Sequence, residues 1–410
     1  MNQHTIPLGR ILGIPIRLDY SWFLIFALLT WSLAVGYYPA EFKNLPASHY
    51  WVMAALTTIM LFVSVLLHEL GHSVVAMHYK VPVRSITLFI FGGVSLIGAE
   101  PPSPSAGFWI SIAGPIVSFA LAGIFHQLYP LLAGFTQVLA IVKYLAYINA
   151  ALGVFNLIPG FPLDGGGVFR SIIWGFTHSM RRATIIASTV GRFIAYLFIF
   201  FGVLQMFEGN FMNGLWIAFV GWFLESAARG MIQQQALHDL LAGHKVSQAM
   251  SPHYTAIPAE TTLQQLVDHH ILAIGQRSFL VNRGGRVMGL LTLHHIRGIP
   301  RSAWPTTTVA QIIIPASEMK RIGPDEDLWQ AVEKMDRDGV NQLPVMSNGT
   351  VLGVLRREDV ISYLRTLRNS GYKEHLSCSK ARMRTNQKYS IFSYKMPEII
   401  YLSFRAHYKK

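Results

Sequence analysis

Six long stretches with almost no charge run through the first 235 residues, and nothing else in the chain constrains its fold so strongly. They lie near Leu18–Tyr38, Tyr50–His78, Gly107–Leu132, Gly134–Leu157, Ala183–Phe207 and Phe211–Arg229. About 20 mostly apolar residues suffice for a helix to cross the hydrocarbon core, so each is expected to span a membrane. Six crossings leave both ends of this region on one face. Arg10, Arg17, Lys80, Arg84, Arg170, Arg181, Arg182 and Arg229 all fall on that face, while Lys43, Glu41 and Glu208 fall on the other. The positive-inside rule makes the basic face cytoplasmic. The expectation is a multi-pass α-helical protein of the cell membrane whose C-terminal region is cytoplasmic.

Composition agrees with this division. Of the 410 residues, 52% are hydrophobic and 13% charged, too apolar for a soluble protein of this length. The formal charge of +13 fits topology and contact with anionic headgroups, and no nucleic-acid partner is expected. The single cysteine, Cys378, permits neither an internal disulfide nor a thiolate metal cluster. Any metal must use histidines and carboxylates. No removable signal peptide is expected at the N-terminus.

Within the second apolar stretch stands His68-Glu69-Leu70-Gly71-His72, a complete H-E-x-x-H. Residues four apart on a helix lie about 40° apart around its axis and one turn along it, so both imidazoles reach one metal ion. Glu69 beside them is a candidate general base. The run Leu61–Leu67 before it is costly ground for imidazole and charge, and ionisable groups at such depth are functional by default.

Zinc requires a third protein ligand, for which two residues compete. His78 has the metzincin spacing from His72, but that spacing needs a helix break at a glycine, and Val75 stands there. A continuing helix turns His78 by about 240° and carries it about 9 Å onward. Asp164 follows Asn156-Leu-Ile-Pro159-Gly160-Phe-Pro162-Leu, where two prolines and a glycine end the fourth helix. A carboxylate after a broken intramembrane helix suits a polar cavity, so Asp164 is the preferred ligand.

Between the second and third stretches, Val83–Gly98 is rich in β-branched and aromatic residues and is divided by Gly92-Gly93. It reads as a hairpin at the cytoplasmic side, either structural or substrate-binding.

The region after 245 contains an internal repeat. Residues 246–300 and 309–365 share an order of elements: Val246-Ser-Gln-Ala249 corresponds to Val309-Ala-Gln-Ile312, Phe279-Leu-Val281 to Leu343-Pro-Val345, and Val287–Thr292 to Val351–Leu355. The pair resembles tandem CBS motifs, each a βαββα unit. Nucleotide-binding CBS motifs end their last strand in T/S-x-x-D. Here Thr292 has His295 at the carboxylate position, and Asp359 has Arg356 at the hydroxyl position. Thr292 and Asp359 are thus the candidate contacts for an adenine nucleotide, bound weakly or not at all, and the pair could also join two copies in a homodimer. The basic segment 366–410 shows no sustained period and is expected to be a disordered tail.

The buried HELGH, the downstream N-x-x-P-x-x-P-L-D-G-G, the Gly-Gly hairpin and the terminal CBS pair together resemble the site-2 protease family of intramembrane zinc metalloproteases. The resemblance spans residues 10 to 365. It implies one zinc ion on His68, His72 and Asp164, Glu69 as catalytic base, Asn156 as a contact to substrate or oxyanion, and transmembrane proteins as substrates cut within or near the bilayer. The family usually continues D-G-G-R, whereas Gly167 stands here and the next arginine is Arg170. The rival reading is a CBS-regulated transporter or channel with His68, Glu69 and Asp164 on an ion path. Such a path needs polar groups on several helices, and only Arg192 in the fifth adds to those of the second and fourth.

Overall fold

The computed structural model describes residues 5–43, 45–90, 92–132, 134–273, 278–347 and 350–367, so the tail expected over 366–410 lies almost wholly outside the described residues. The chain forms two compact units, Met1–Gln235 and Ala236–Lys410.

Among the described residues six helices are long and apolar enough to cross a membrane, all in the first unit except the last turns of the sixth, which run past Gln235. They are α1 (Ser21–Glu41, with a π-helical turn at Leu33–Tyr37), α2 (Ala47–His78), α3 (Pro104–Gln127), α4 (Thr136–Asn156), α6 (Met180–Phe207) and α7 (Phe211–Leu241). A shorter helix, α5 (Asp164–Thr177), lies between α4 and α6. Two ends differ from the sequence reading. The first span starts at Ser21, not Leu18, because Leu18 is drawn into a strand and Asp19 Oδ1 accepts from the Ser21 backbone N–H (2.9 Å). The last helix continues twelve residues past Arg229 to Leu241, through a run in which glutamine and leucine, both good helix formers, recur.

Four strands accompany the helices: β1 (Thr5–Ile11), β2 (Ile14–Asp19), β3 (Val83–Phe89) and β4 (Gly92–Ile97), in the order β1-β2-β3-β4. The β1–β2 hairpin went unread in the sequence, although Leu12-Gly13, both at positive φ, is a two-residue turn between alternating segments. The second hairpin forms where expected, between Val83–Phe89 and Gly92–Ile97, but the glycine pair does not divide it. Gly92 and Gly93 belong to β4, opposite Phe89 and Leu88. β2 and β3 pair in parallel, and Ile14, Ile16 and Ile86 pack on Leu66 and Leu70 of α2. The sheet therefore covers one flank of α2.

The first unit is tied by buried polar contacts. The Tyr38 hydroxyl meets Thr57 Oγ1 at 2.5 Å, and Asn149 donates to Ser64 Oγ (3.2 Å) and to the Leu145 carbonyl (2.8 Å). Arg192 is not the isolated charge that the sequence suggested. Its Nε donates to Oε1 of buried Glu225 on α7 (3.2 Å), which also accepts from Arg229 Nη2 (2.8 Å) and the Tyr196 hydroxyl (3.3 Å). A charged side chain at membrane depth needs such partners.

The second unit holds two βαβ-type halves. In the first, β5 (Ala256–Pro258) pairs in parallel with β6 (Ser278–Arg283), which pairs antiparallel with β7 (Arg286–Thr292), and β7 with β8 (Ile314–Pro315). In the second, α8 (Leu328–Asp338) precedes β9 (Gln342–Ser347) and β10 (Thr350–Arg356). The strand equivalent to β5 shrinks to one parallel bridge, Ile322 to Val345.

The sequence repeat and the packing units do not coincide. Val246 and Ala249, which open the first repeat, are buried with Ile322, Leu328 and Leu343 of the second, and Val246 N donates to the Glu326 carbonyl (3.0 Å). Val309, which opens the second repeat, is buried with Ile257, Leu263 and Phe279 of the first. Each repeat's leading turn completes the other's core.

Candidate metal centre

α2 runs unbroken through HELGH to His78, so the 3.6-residue period decides where each side chain points. His68 and His72 lie on one flank, both buried. Glu69 and Ser73 lie roughly 100° further round, toward the sheet. His68 stands ten residues before the helix end, about 15 Å along the axis. His78 is exposed at the end of α2 and takes no part in the cluster.

Asp164 arrives from the far side. α4 ends at Asn156, residues 157–163 turn, and α5 begins with Asp164 in its first turn. The turn is tight. A Cβ on Gly165 would sit 2.3 Å from the Leu157 carbonyl oxygen, and one on Gly166 would sit 2.3 Å from Phe161 N, which accounts for the two glycines after the aspartate. Gly167 has a different reason. A Cβ there would lie 2.3 Å from Ser111 Oγ of α3, so any larger residue at 167 requires Ser111 to shift, and Arg170 stacks over the Phe161 ring (5.3 Å).

Three ligand atoms converge. His68 Nε2 is 3.0 Å from Asp164 Oδ2, His72 Nε2 is 3.3 Å from the same oxygen, and the two Nε2 atoms are 3.3 Å apart. Zinc bound tetrahedrally at roughly 2.0–2.1 Å spaces its ligand atoms about 3.3 Å apart, so the triangle fits the ion. The outer contacts agree. His72 donates from Nδ1 to the Ile110 carbonyl oxygen (2.6 Å), which leaves the Nε2 lone pair facing the centre, and His68 Nδ1 pairs with Ser118 Oγ (2.8 Å). Such contacts orient metal-binding imidazoles. The third wall is Gly114, where a Cβ would meet His72 Nε2 at 2.2 Å and His68 Nε2 at 2.5 Å.

Glu69 stands beside the triangle without joining it. Its Oε2 accepts from Ser95 Oγ of β4 (2.7 Å), and its backbone carbonyl accepts from Ser73 Oγ (2.9 Å). Gly93 lets β4 lie against it, since a Cβ there would sit 2.5 Å from Glu69 Cγ. Asn156 is half-buried at the end of α4, and among the described residues its side chain has no hydrogen-bond partner. Ser95, Ser118, Ile110, Gly93 and Gly114 were all missed in the sequence, where only the Gly-Gly pair gave any signal.

The other two candidate residues, Thr292 and Asp359, lie in the second unit and are engaged locally. Thr292 Oγ1 pairs with His295 Nδ1 (3.0 Å) at the end of β7, and Asp359 Oδ2 accepts from the Arg356 backbone N–H (2.9 Å) at the end of β10. His295 thus fills in the first half the place that Asp359 fills in the second. Burial pushes the Asp359 carboxyl up, against the opposing pull of that N–H.

Comparison with known proteins sets this geometry in a family. The profile of peptidase family M50 matches residues 56–136 and 133–198, and the CBS domain profile matches residues 305–366. A Mycobacterium tuberculosis protein named as a zinc metalloprotease, Rip3, is 35% identical over 87% of this chain and 92% of its own length. A Synechocystis protein also named as a zinc metalloprotease, sll0528, is 32% identical over 89% of this chain and 96% of its own length. The solved structure of the site-2 protease from Methanocaldococcus jannaschii shares 30% identity, covering 56% of this chain and 95% of that one, with a TM-score of 0.40. At such identity over most of both lengths, the chain belongs to the site-2 protease group of peptidase family M50, intramembrane zinc metalloproteases, and carries a C-terminal CBS region.

Proposed function

We propose that His68, His72 and Asp164 hold one zinc ion per chain and that Glu69 is the catalytic base for cleaving transmembrane protein substrates within or near the bilayer. The observation that carries this reading is the convergence of three acceptor atoms within 3.0–3.3 Å, with a carboxylate on the next residue of the same helix. Three lone pairs so close repel one another unless a proton or a metal ion lies between them. When bound, zinc supplies Lewis acidity that polarises a carbonyl and eases loss of a proton from water.

The chain's own groups do the rest. Glu69 takes the proton from the attacking water and returns it to the departing amine. Asn156, free of partners among the described residues, donates to the carbonyl oxygen of the scissile bond as charge builds there. An intact substrate helix hides its carbonyls in hydrogen bonds, so the segment to be cut must unwind. Among the described residues β4 pairs only with β3, and its open edge offers an extended segment backbone partners. The basic face is cytoplasmic, which puts the CBS region in the cytoplasm and the chain across the cell membrane. That region regulates access to the protease. It binds an adenine nucleotide weakly or not at all, since Thr292 and Asp359 are occupied by local contacts, and it serves as a homodimer contact.

The test is capture. A Glu69→Gln chain expressed in cells retains uncut membrane proteins that the wild-type chain releases, identified by co-purification. Equal recovery of the same proteins, already cut, with both chains would overturn the reading.

A further inference from the structure

Strand β4 runs beside α2, and its residues alternate. Gly93, Ser95 and Ile97 turn toward the helix, where Gly93 meets Glu69, Ser95 meets Glu69 and Ser73, and Ile97 packs by Ala76. Val94 and Leu96 are exposed on the other side. This is the period of two that a strand imposes, and it aims the Ser95 hydroxyl at the carboxylate. Ser95 Oγ donates to Glu69 Oε2 at 2.7 Å and lies 3.3 Å from the Glu69 carbonyl oxygen. That carbonyl also accepts from Ser73 Oγ, which stands 3.4 Å from Ser95 Oγ. Glu69 Oε1 has no hydrogen-bond partner among the described residues.

We infer that Ser95 is the positioning residue for the proposed base: it anchors Oε2 on the edge strand and leaves Oε1 free for proton transfer. The inference rests on Glu69 being the base. A glutamate has three rotatable side-chain bonds, and a carboxylate that wanders spends little time in the geometry that proton transfer needs. The anchor removes that freedom. It also joins the strand open to an unwound substrate to the group that acts on it, because Ser95 belongs to the first and bonds the second. A purely structural role, fastening the hairpin to α2, would need no hydroxyl, since Gly93 and Ile97 already supply close packing.

The experiment compares Ser95→Thr with Ser95→Val in the full chain in proteoliposomes, using a single-span reporter peptide selected because the wild-type chain cuts it. The two side chains have nearly the same shape, and only threonine keeps the donor. A hydrogen bond to a charged group contributes about 1.5–3 kcal/mol, so Ser95→Val should lower kcat roughly 10- to 100-fold. KM should stay within about two-fold and zinc content should match wild type, because the bond touches neither substrate nor metal ligand. Ser95→Thr should recover most of the loss. Equal kcat for the two variants, or a rise in KM at unchanged kcat, would overturn the inference. Glu69→Gln, run in parallel, separates the two claims. If it abolishes cleavage while Thr and Val behave alike, only the role of Ser95 fails. Near wild-type cleavage by Glu69→Gln would instead remove the base itself, and the anchor with it.

Discussion

Gly114 of α3 faces His72 so closely that a methyl group there would sit 2.2 Å from the ring nitrogen Nε2. The same methyl would lie 2.5 Å from His68 Nε2, so α3 closes the metal triangle with bare backbone. Gly114→Ala should therefore abolish zinc binding although every ligand remains. Metal analysis of the purified variant checks this, and near-stoichiometric zinc would show that the wall is not where the helix packing puts it. The helix itself should gain slightly, since alanine is favoured over glycine in a helix interior, so loss of metal without loss of fold is the expected signature.

Replacing any of His68, His72 or Asp164 by alanine should strip most of the zinc, because two remaining ligands bind the ion far more weakly. His78→Ala should leave one zinc per chain. Retention of metal in Asp164→Ala, together with its loss in His78→Ala, would reverse the choice of third ligand.

Glu69→Gln should keep both zinc and fold while lowering cleavage at least about 100-fold, within the range for loss of a general base. Gly93→Ala should move activity in the same direction through displacement alone, since the new methyl lies 2.5 Å from Glu69 Cγ. Turnover of a membrane-embedded reporter measures both. An unchanged rate in Gly93→Ala would mean that the hairpin yields rather than the base.

Glu225 Oε1 gathers Arg192, Arg229 and Tyr196 at the packing of α6 on α7. Glu225→Leu should cost about 2 kcal/mol, the scale of hydrogen bonds to a charged group, because it leaves two guanidinium groups without their acceptor. Removing Arg192 as well should restore part of the loss, as expected when the cost comes from an unpaired charge. Thermal unfolding in detergent of the single and double variants gives the comparison.

Calorimetry of the full chain with ATP, ADP and AMP should show no binding tighter than millimolar, since Asp359 is held by Arg356 N–H and His295 stands where the first half would need a carboxylate. Micromolar affinity abolished by Asp359→Ala would show that these local contacts open for the nucleotide.

Local chemistry made much of this protein legible from its residues alone. Six apolar runs of bilayer length become six long helices. HELGH carries its own geometry, because four residues on a helix always return the side chain to the same flank. The two prolines and the glycine between Asn156 and Asp164 announce a break in any context. These signals need only neighbours in the chain.

What the tertiary structure alone decided depends on residues far apart in sequence. His68 meets Asp164 across 96 positions and Glu69 meets Ser95 across 26. No periodicity marks Ser95, Ser118 or Gly114, since a serine or glycine in an apolar run reads as a small residue until a neighbouring element is packed against it. The β1–β2 hairpin, the pairing of Arg192 with Glu225 and the exchange of leading turns between the two C-terminal repeats were hidden for the same reason. Each forms because burial in lipid or in a core leaves a polar group or an apolar turn only one place to be satisfied, and that place is set by the packing of distant segments rather than by the residues alongside.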